Sequence, residues 1–190
     1  MTGARFVLLG CIVIAGGCAA GVVVMPYEPI AAQQIEKIDM PVLLCLTPEF
    51  SSAAYSDARG FQVSLGPSLA RNSETLARSV FASVEVRTDG SCSSGGSAVL
   101  SPKVVSLKQT LPMMTWQPTV TEVIVEWSLR DVAGLPIWVA TARGVQEMPI
   151  GTNFGYGEKA AAAFAVATDG MFRDVAVRLQ ALREQQSHGE

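Results

Sequence analysis

Hydrophobic and polar residues along this chain follow the two periodicities that distinguish strands from helices. Residues 61–65 alternate between apolar and polar side chains, which predicts a half-buried strand, and residues 41–48 hold an apolar run that predicts a buried one. Three further strands are predicted over residues 98–107, 119–130 and 136–144. The alternation is clearest in the middle one of these three.

Two segments instead carry apolar residues at helical spacing. The first follows Gly66-Pro67-Ser68, which suits a helix start because proline and serine are favoured there. Its stripe comprises Leu69, Leu76, Ala77, Val80, Phe81 and Val84, and residues 84–86 can also begin a strand. The second segment runs from Glu158 to about Glu184 with Phe164, Met171, Val175, Leu179 and Leu182 on one face. Gly170 costs this helix about 1 kcal/mol relative to alanine, which indicates a close contact at that position.

The connections between these elements complete the predicted topology. Residues 131–136 have hairpin chemistry, with Gly134 available for a positive φ. Pro102 implies an edge strand or a bulge, and the small residues between Thr88 and Gly96 predict a mobile loop. We therefore expect an α+β fold of two layers, in which two helices pack on one face of a mostly antiparallel sheet of about four strands. The single domain would span residues 41–184, followed by a frayed tail at 185–190.

The N-terminus has the composition of a secretory signal, with a basic residue, an apolar stretch and then small residues. The run Ile14-Ala15-Gly16-Gly17-Cys18 resembles the lipobox of bacterial lipoproteins, in which the cysteine is lipidated and becomes the new N-terminus. That resemblance implies a signal peptide at 1–17, lipidation of Cys18 and a lipidated N-terminus and tether over residues 18–40. Ala19 in place of Asp implies the outer membrane, with the domain facing the periplasm.

An alternative interpretation of the same segment is an uncleaved anchor. Residues 6–25 form a stretch of 20 residues without a charge, which is about the length of a membrane-spanning helix. Either interpretation places the remainder of the chain in an extracytoplasmic compartment.

Cysteine usage agrees with such a compartment, because an oxidising periplasm permits disulfides. Cys45 and Cys92 remain once the two N-terminal cysteines are set aside, and they are a possible disulfide pair. The alternative is a buried thiol at Cys45 and a separate loop thiol at Cys92.

Charge and motif content argue against several function classes. The 190 residues include 14 Lys and Arg against 17 Asp and Glu, a net charge of −3, which disfavours nucleic-acid binding. The one histidine, His188, lies in the tail, and neither a nucleophile motif nor a phosphate loop is present. Glu122 and Glu126 lie about 13 Å apart on one strand face, which is too far for a glycosidase pair. We therefore expect a non-enzymatic protein without a metal site or cofactor.

The segment from Leu111 to Pro118 is unusually apolar for a connection between strands. Met113, Met114 and Trp116 offer the deformable and aromatic surface that protein interfaces use, so we predict a partner-binding site there. Two alternatives are that the loop folds back over the core of the domain, or that it enters lipid headgroups.

A lipobox followed by a tether and a β-α-β-β-β-α order resembles the LPS-assembly lipoprotein family and related small outer-membrane lipoproteins. The resemblance rests on residues 61–84, 101–107 and 126–131 with Gly134 and Trp138. It implies a periplasmic subunit or plug in envelope assembly or lipid transport, anchored through membrane lipid and bound to an envelope protein. The alternative function is a lipid or small-molecule carrier with an apolar cavity between helices and sheet.

Overall fold

The computed structural model describes residues 22–25, 37–58, 60–93, 95–110, 118–148 and 156–187. Within these ranges the chain forms three helices and two sheets, which we call the main sheet and the small sheet. The helices are α1 (Pro48–Ser51), α2 (Gly66–Val80) and α3 (Tyr156–Ser187). The main sheet contains β2 (Ile38–Cys45), β5 (Phe81–Arg87), β6 (Ala98–Thr110), β7 (Thr119–Arg130) and β8 (Pro136–Met148). The small sheet contains β1 (Val22–Val24), β3 (Ala54–Ser56) and β4 (Gln62–Ser64).

The strand order of the main sheet is β5-β2-β6-β7-β8, and it corrects the predicted topology. The α+β class is confirmed, but among the described residues there are three helices instead of two, and five strands instead of about four in the main sheet. The sheet is mixed, because β2 pairs in parallel with both β5 and β6, while β6, β7 and β8 are antiparallel neighbours. Parallel pairing requires a crossover connection, which local periodicity does not reveal.

The core lies between the main sheet and helices α2 and α3. Alternate residues of β7, including Val125, Trp127 and Leu129, are fully buried on this face. The Trp127 ring meets Phe172 of α3 edge to face, with ring centroids 5.9 Å apart. The alternation thus predicted correctly both the bounds of β7 and which of its side chains are buried.

Helix α2 ends earlier than the apolar stripe suggested. Val80 is its last residue, and Phe81 adopts an extended conformation with φ of −106° and ψ of 146°. Phe81 and Val84 therefore belong to β5, not to the helical stripe. Both assignments place these side chains at the core, so a helical period and a strand period fit the same residues at the junction.

The residues before the predicted domain are the largest correction. Val22–Val24 fall within the predicted tether, yet they form β1, which pairs in parallel with β4. Met25 is only 2% exposed and belongs to the core. Residues 22–25 are thus part of the folded domain, which also argues against a spanning helix through residue 25. No helix in the described part of the chain has the length and apolarity needed to cross a membrane.

Candidate functional site

A shallow groove lies on the open face of the main sheet, the face turned away from α2 and α3. Its volume is about 420 Å³. Two segments form its walls, namely the connection between β5 and β6 and the hairpin between β7 and β8. The neighbouring strands β6 and β7 form its floor. The lining residues are Cys92, Ser93, Val99, Ser101, Ser128, Arg130, Asp131, Val132, Ala133 and Gly134.

The first wall is fixed by a disulfide between Cys45 and Cys92, whose Cα atoms are 5.6 Å apart. Since β5 and β6 lie on either side of β2, their connection has to pass over β2. Cys45 projects from β2 toward the open face, where it packs with Leu43 and Val99. The bond therefore ties the connection to the strand beneath it. This pairing was one of two alternatives from the sequence, and the small-residue loop predicted to be mobile is held at Cys92.

Local hydrogen bonds also shape this connection. The Asp89 carboxylate accepts hydrogen bonds from both the hydroxyl and the backbone N–H of Ser91, at 2.7 and 3.0 Å. The hydrogen bond from the Ser91 hydroxyl, and after it the bond from the Ser91 backbone N–H, lower the pKa of Asp89 below its ordinary value. The turn before Cys92 thus carries a fixed negative charge at the solvent-exposed surface.

The opposite wall is the hairpin at residues 131–135. Oδ1 of Asp131 accepts from the backbone N–H groups of Ala133 and Leu135, at 2.9 and 2.8 Å. Asp131 N–H donates to Leu135 O, and Gly134 has a φ of 82°. The predicted hairpin and the positive φ at Gly134 are both confirmed. Because its turn bonds are made internally, this wall is preformed.

The floor of the groove holds polar side chains beside the apolar Val99. Ser101 and Ser128 are direct cross-strand partners, and Arg130 lies at the end of β7 with its side chain exposed. Two hydroxyls and a guanidinium can bind the carboxylate, phosphate or carbonyl oxygens of another molecule. Periodicity assigned Ser128 and Arg130 to the polar face of β7 but gave no sign of the groove, because the other walls come from distant segments.

Beside the groove lies a group of exposed apolar side chains that we call the hairpin patch. It begins at the hairpin tip and continues along the open face of β8, where Val139 is the cross-strand neighbour of Ser128. Exposed apolar surface next to polar side chains is typical of protein-interaction sites. The hairpin patch consists of Val132 (60% exposed), Leu135 (64%), Ile137 (36%) and Val139 (56%).

Farther along the same face the residues are charged. Glu122 forms an ion pair with Arg143 on β8, at 2.5 Å between Arg143 Nε and Glu122 Oε1. Glu126 lies opposite Lys103 and Thr141 in the strand register. The interpretation of both glutamates as charges on a strand face agrees with these positions. Across the described residues, no group of three or more His, Cys, Asp or Glu side chains is arranged to hold a metal ion.

The remaining predicted site residues lie outside the described residues. These are the lipidation site Cys18 and the interface residues Met113, Met114 and Trp116. The segment that holds the last three joins Thr110 of β6 to Thr119 of β7, at the end of that ladder remote from the groove.

These features define a small α+β domain that presents a disulfide-bordered groove on an open sheet face. No protein-family model matches the chain, and no curated protein matches it significantly. A solved structure of a Xanthomonas campestris protein of the family DUF330 is similar over 88% of this chain and 99% of that chain, with a TM-score of 0.58 and 11% identity. This similarity establishes a common fold.

Two further solved structures that resemble this chain are bacterial lipoproteins. A minor lipoprotein of Acinetobacter baumannii matches over 78% of this chain and 96% of that chain, with a TM-score of 0.49 and 13% identity. Lipoprotein GNA1162 of Neisseria meningitidis matches over 74% of this chain and 98% of that chain, with a TM-score of 0.40 and 17% identity.

Proposed function

We propose that this protein is a lipid-anchored lipoprotein of the outer membrane that faces the periplasm and acts by binding a partner, not by catalysis. Its role would be that of a subunit or plug in envelope assembly or lipid transport. Two independent features support this: the lipobox-like run that ends at Cys18, and an open sheet face with a preformed groove. The partner would be an envelope protein.

The observation that carries the binding role is the position of the hairpin patch beside Arg130 and Ser128 of the groove. A partner segment could place apolar side chains on Leu135 and Val139 and direct a carboxylate or carbonyl group toward Arg130 and Ser128. The disulfide and the Asp131 hydrogen bonds fix the walls of the groove. Binding of a partner would therefore order few residues of this protein and would lose little conformational entropy.

The carrier alternative receives less support from the fold. The space between helices and sheet, where such a ligand would lie, contains the side chains of Trp127, Phe164 and Phe172, each at most 1% exposed. The concave space described above lies instead on the other face of the sheet.

Affinity purification of the lipidated protein from its own envelope tests the proposal when wild type is compared with a Leu135→Asp, Val139→Asp variant. We expect a protein recovered with wild type to be lost with this variant. Val177→Asp on α3 is the matched control, since Val177 is 57% exposed on the other side of the domain. A variant that retains every wild-type partner, or a control that loses the same one, would contradict the assignment of the hairpin patch.

A further inference from the structure

The start of the folded domain is fixed very close to the proposed lipid attachment point. Met25 N–H donates to Ser64 O at 2.9 Å, and the Ser68 hydroxyl donates to Met25 O at 3.1 Å. The Thr168 hydroxyl of α3 contacts Met25 Sδ at 3.7 Å. Together with the pairing of β1 to β4, these bonds attach residues 22–25 to the rest of the domain.

Three residues, Ala19 to Gly21, separate Cys18 from this strand. A fully extended chain covers at most ~3.6 Å per residue, so the Cα atoms of Cys18 and Val22 are no more than about 14 Å apart. A flexible tether over residues 18–40, as predicted from the sequence, would allow a much larger distance between the lipid and the domain. A lipid on Cys18 would therefore hold β1 itself at the membrane surface.

The exposed side of β1 is apolar. Val22 and Val24 are 60% and 62% exposed, and alternate residues of a strand point to the same side. Val23, which points the other way, packs against the core. Gln62 and Ser56 lie beside Val22 in the register, so the turn between β3 and β4 is at the same end.

We propose that the surface formed by Val22 and Val24 rests on the lipid bilayer and fixes the orientation of the domain. The proposal rests on lipidation at Cys18, and the short connection to that residue is what identifies lipid as the occupant of this surface. Exposed aliphatic side chains held at a bilayer surface gain from contact with the boundary between headgroups and acyl chains. Met25 is bonded to Ser68 of α2 and Thr168 of α3, so β1 lies on the helical side of the main sheet. In the proposed orientation the groove, on the other face of that sheet, opens away from the membrane.

An environment-sensitive fluorophore on an introduced cysteine tests this orientation. The chain has four cysteines, of which Cys45 and Cys92 are bonded, Cys18 is acylated and Cys11 precedes the cleavage point. A cysteine introduced by mutation is therefore the one that reacts with the fluorophore. Val24→Cys and Val139→Cys form a matched pair, because the two valines are 62% and 56% exposed, one on β1 of the small sheet and the other on the open face of β8.

The labelled, lipidated proteins are reconstituted into phosphatidylcholine vesicles with and without a nitroxide lipid, and isolated by flotation. We expect a blue shift and quenching by the nitroxide for the label at position 24, and neither for the label at position 139. Flotation with equal quenching at both positions, or with none at position 24, would overturn the orientation while the anchor stands. Failure to float would reject the anchor, and with it both proposals.

Discussion

Gly144 of β8 lies directly against the backbone of Ala167 in α3. A Cβ atom added to Gly144 would overlap the carbonyl oxygen of Ala167. On the opposing helix, a Cβ on Gly170 would meet the Gly144 Cα at 4.0 Å, an ordinary van der Waals distance. The close approach of helix and strand therefore lies at Gly144 and not, as predicted, at Gly170.

Gly144→Ala is expected to destabilise the domain strongly, because α3 must move away from β8 to admit the methyl group. Overpacking of this kind costs on the order of 3 kcal/mol. Gly170→Ala is the matched control, and it should be neutral or stabilise by up to about 1 kcal/mol, since alanine is the better helix former. Urea denaturation of the two variants measures both values, and equal unfolding free energies would contradict the described packing of α3 on β8.

The disulfide between Cys45 and Cys92 should contribute substantially to stability. The two residues are 47 positions apart, and closing a loop of that length stabilises the fold by about 4 kcal/mol on the chain-entropy model. We expect a reductant to lower the unfolding free energy of wild type by an amount of this order. A Cys45→Ala, Cys92→Ala variant should not respond to the reductant, and a wild-type protein equally stable in both states would refute the role given to the bond.

Tyr55 provides a pH-dependent prediction. Burial, and to a smaller extent the nearby Asp57 carboxylate, raise the pKa of Tyr55 above its ordinary value. The folded state therefore favours the neutral phenol, so this stabilisation is complete below the ordinary pKa, near 10, and is lost as the pH rises through the folded value.

A Tyr55→Phe variant cannot ionise at this position. We expect it to lose less unfolding free energy than wild type between neutral pH and pH values above 10, as measured by urea titration. The ring contact with Phe164, at 5.0 Å between centroids, is available to phenylalanine as well. Parallel losses in the two proteins would show that Tyr55 does not contribute to the alkaline transition.

The interface predicted at Met113, Met114 and Trp116 can be separated from the hairpin patch. Ser101 in the groove and Thr110, the last described residue before this segment, are nine positions apart on β6, which is about 30 Å along the strand. Changing all three residues to serine should weaken partner recovery while the groove remains intact. Recovery equal to wild type would leave the hairpin patch as the interface and remove the loop from it.

Local pattern predicted those elements whose pairing is local. Strands β7 and β8 and the hairpin between them follow from alternation and from Gly134, because both partners and the turn are adjacent in sequence. The order β5-β2-β6 could not be predicted in this way. Val42 of β2 pairs with Val84 and Ala98, which lie 42 and 56 positions later in the sequence. The groove could not be predicted for the same reason. Its walls at Cys92 and Asp131 are distant in sequence, and they come together only because the connection between β5 and β6 crosses β2.

The start of the domain was missed for a different reason. Val22–Val24 are as apolar as the signal-like segment before them, so hydropathy joined them to it. Only their pairing with Gln62–Ser64 and the burial of Met25 separate the strand from the leader. The same pairing, which begins at Val22, sets the three-residue connection on which the membrane orientation depends.

Acylation of Cys18 is the central claim, and intact-mass analysis of the protein extracted from membranes tests it most directly. We expect a chain that begins at Cys18 and carries the added mass of a diacylglyceryl group, and no such species from a Cys18→Ala variant. An unmodified polypeptide that still begins at Met1 and is recovered in the soluble fraction would contradict the account.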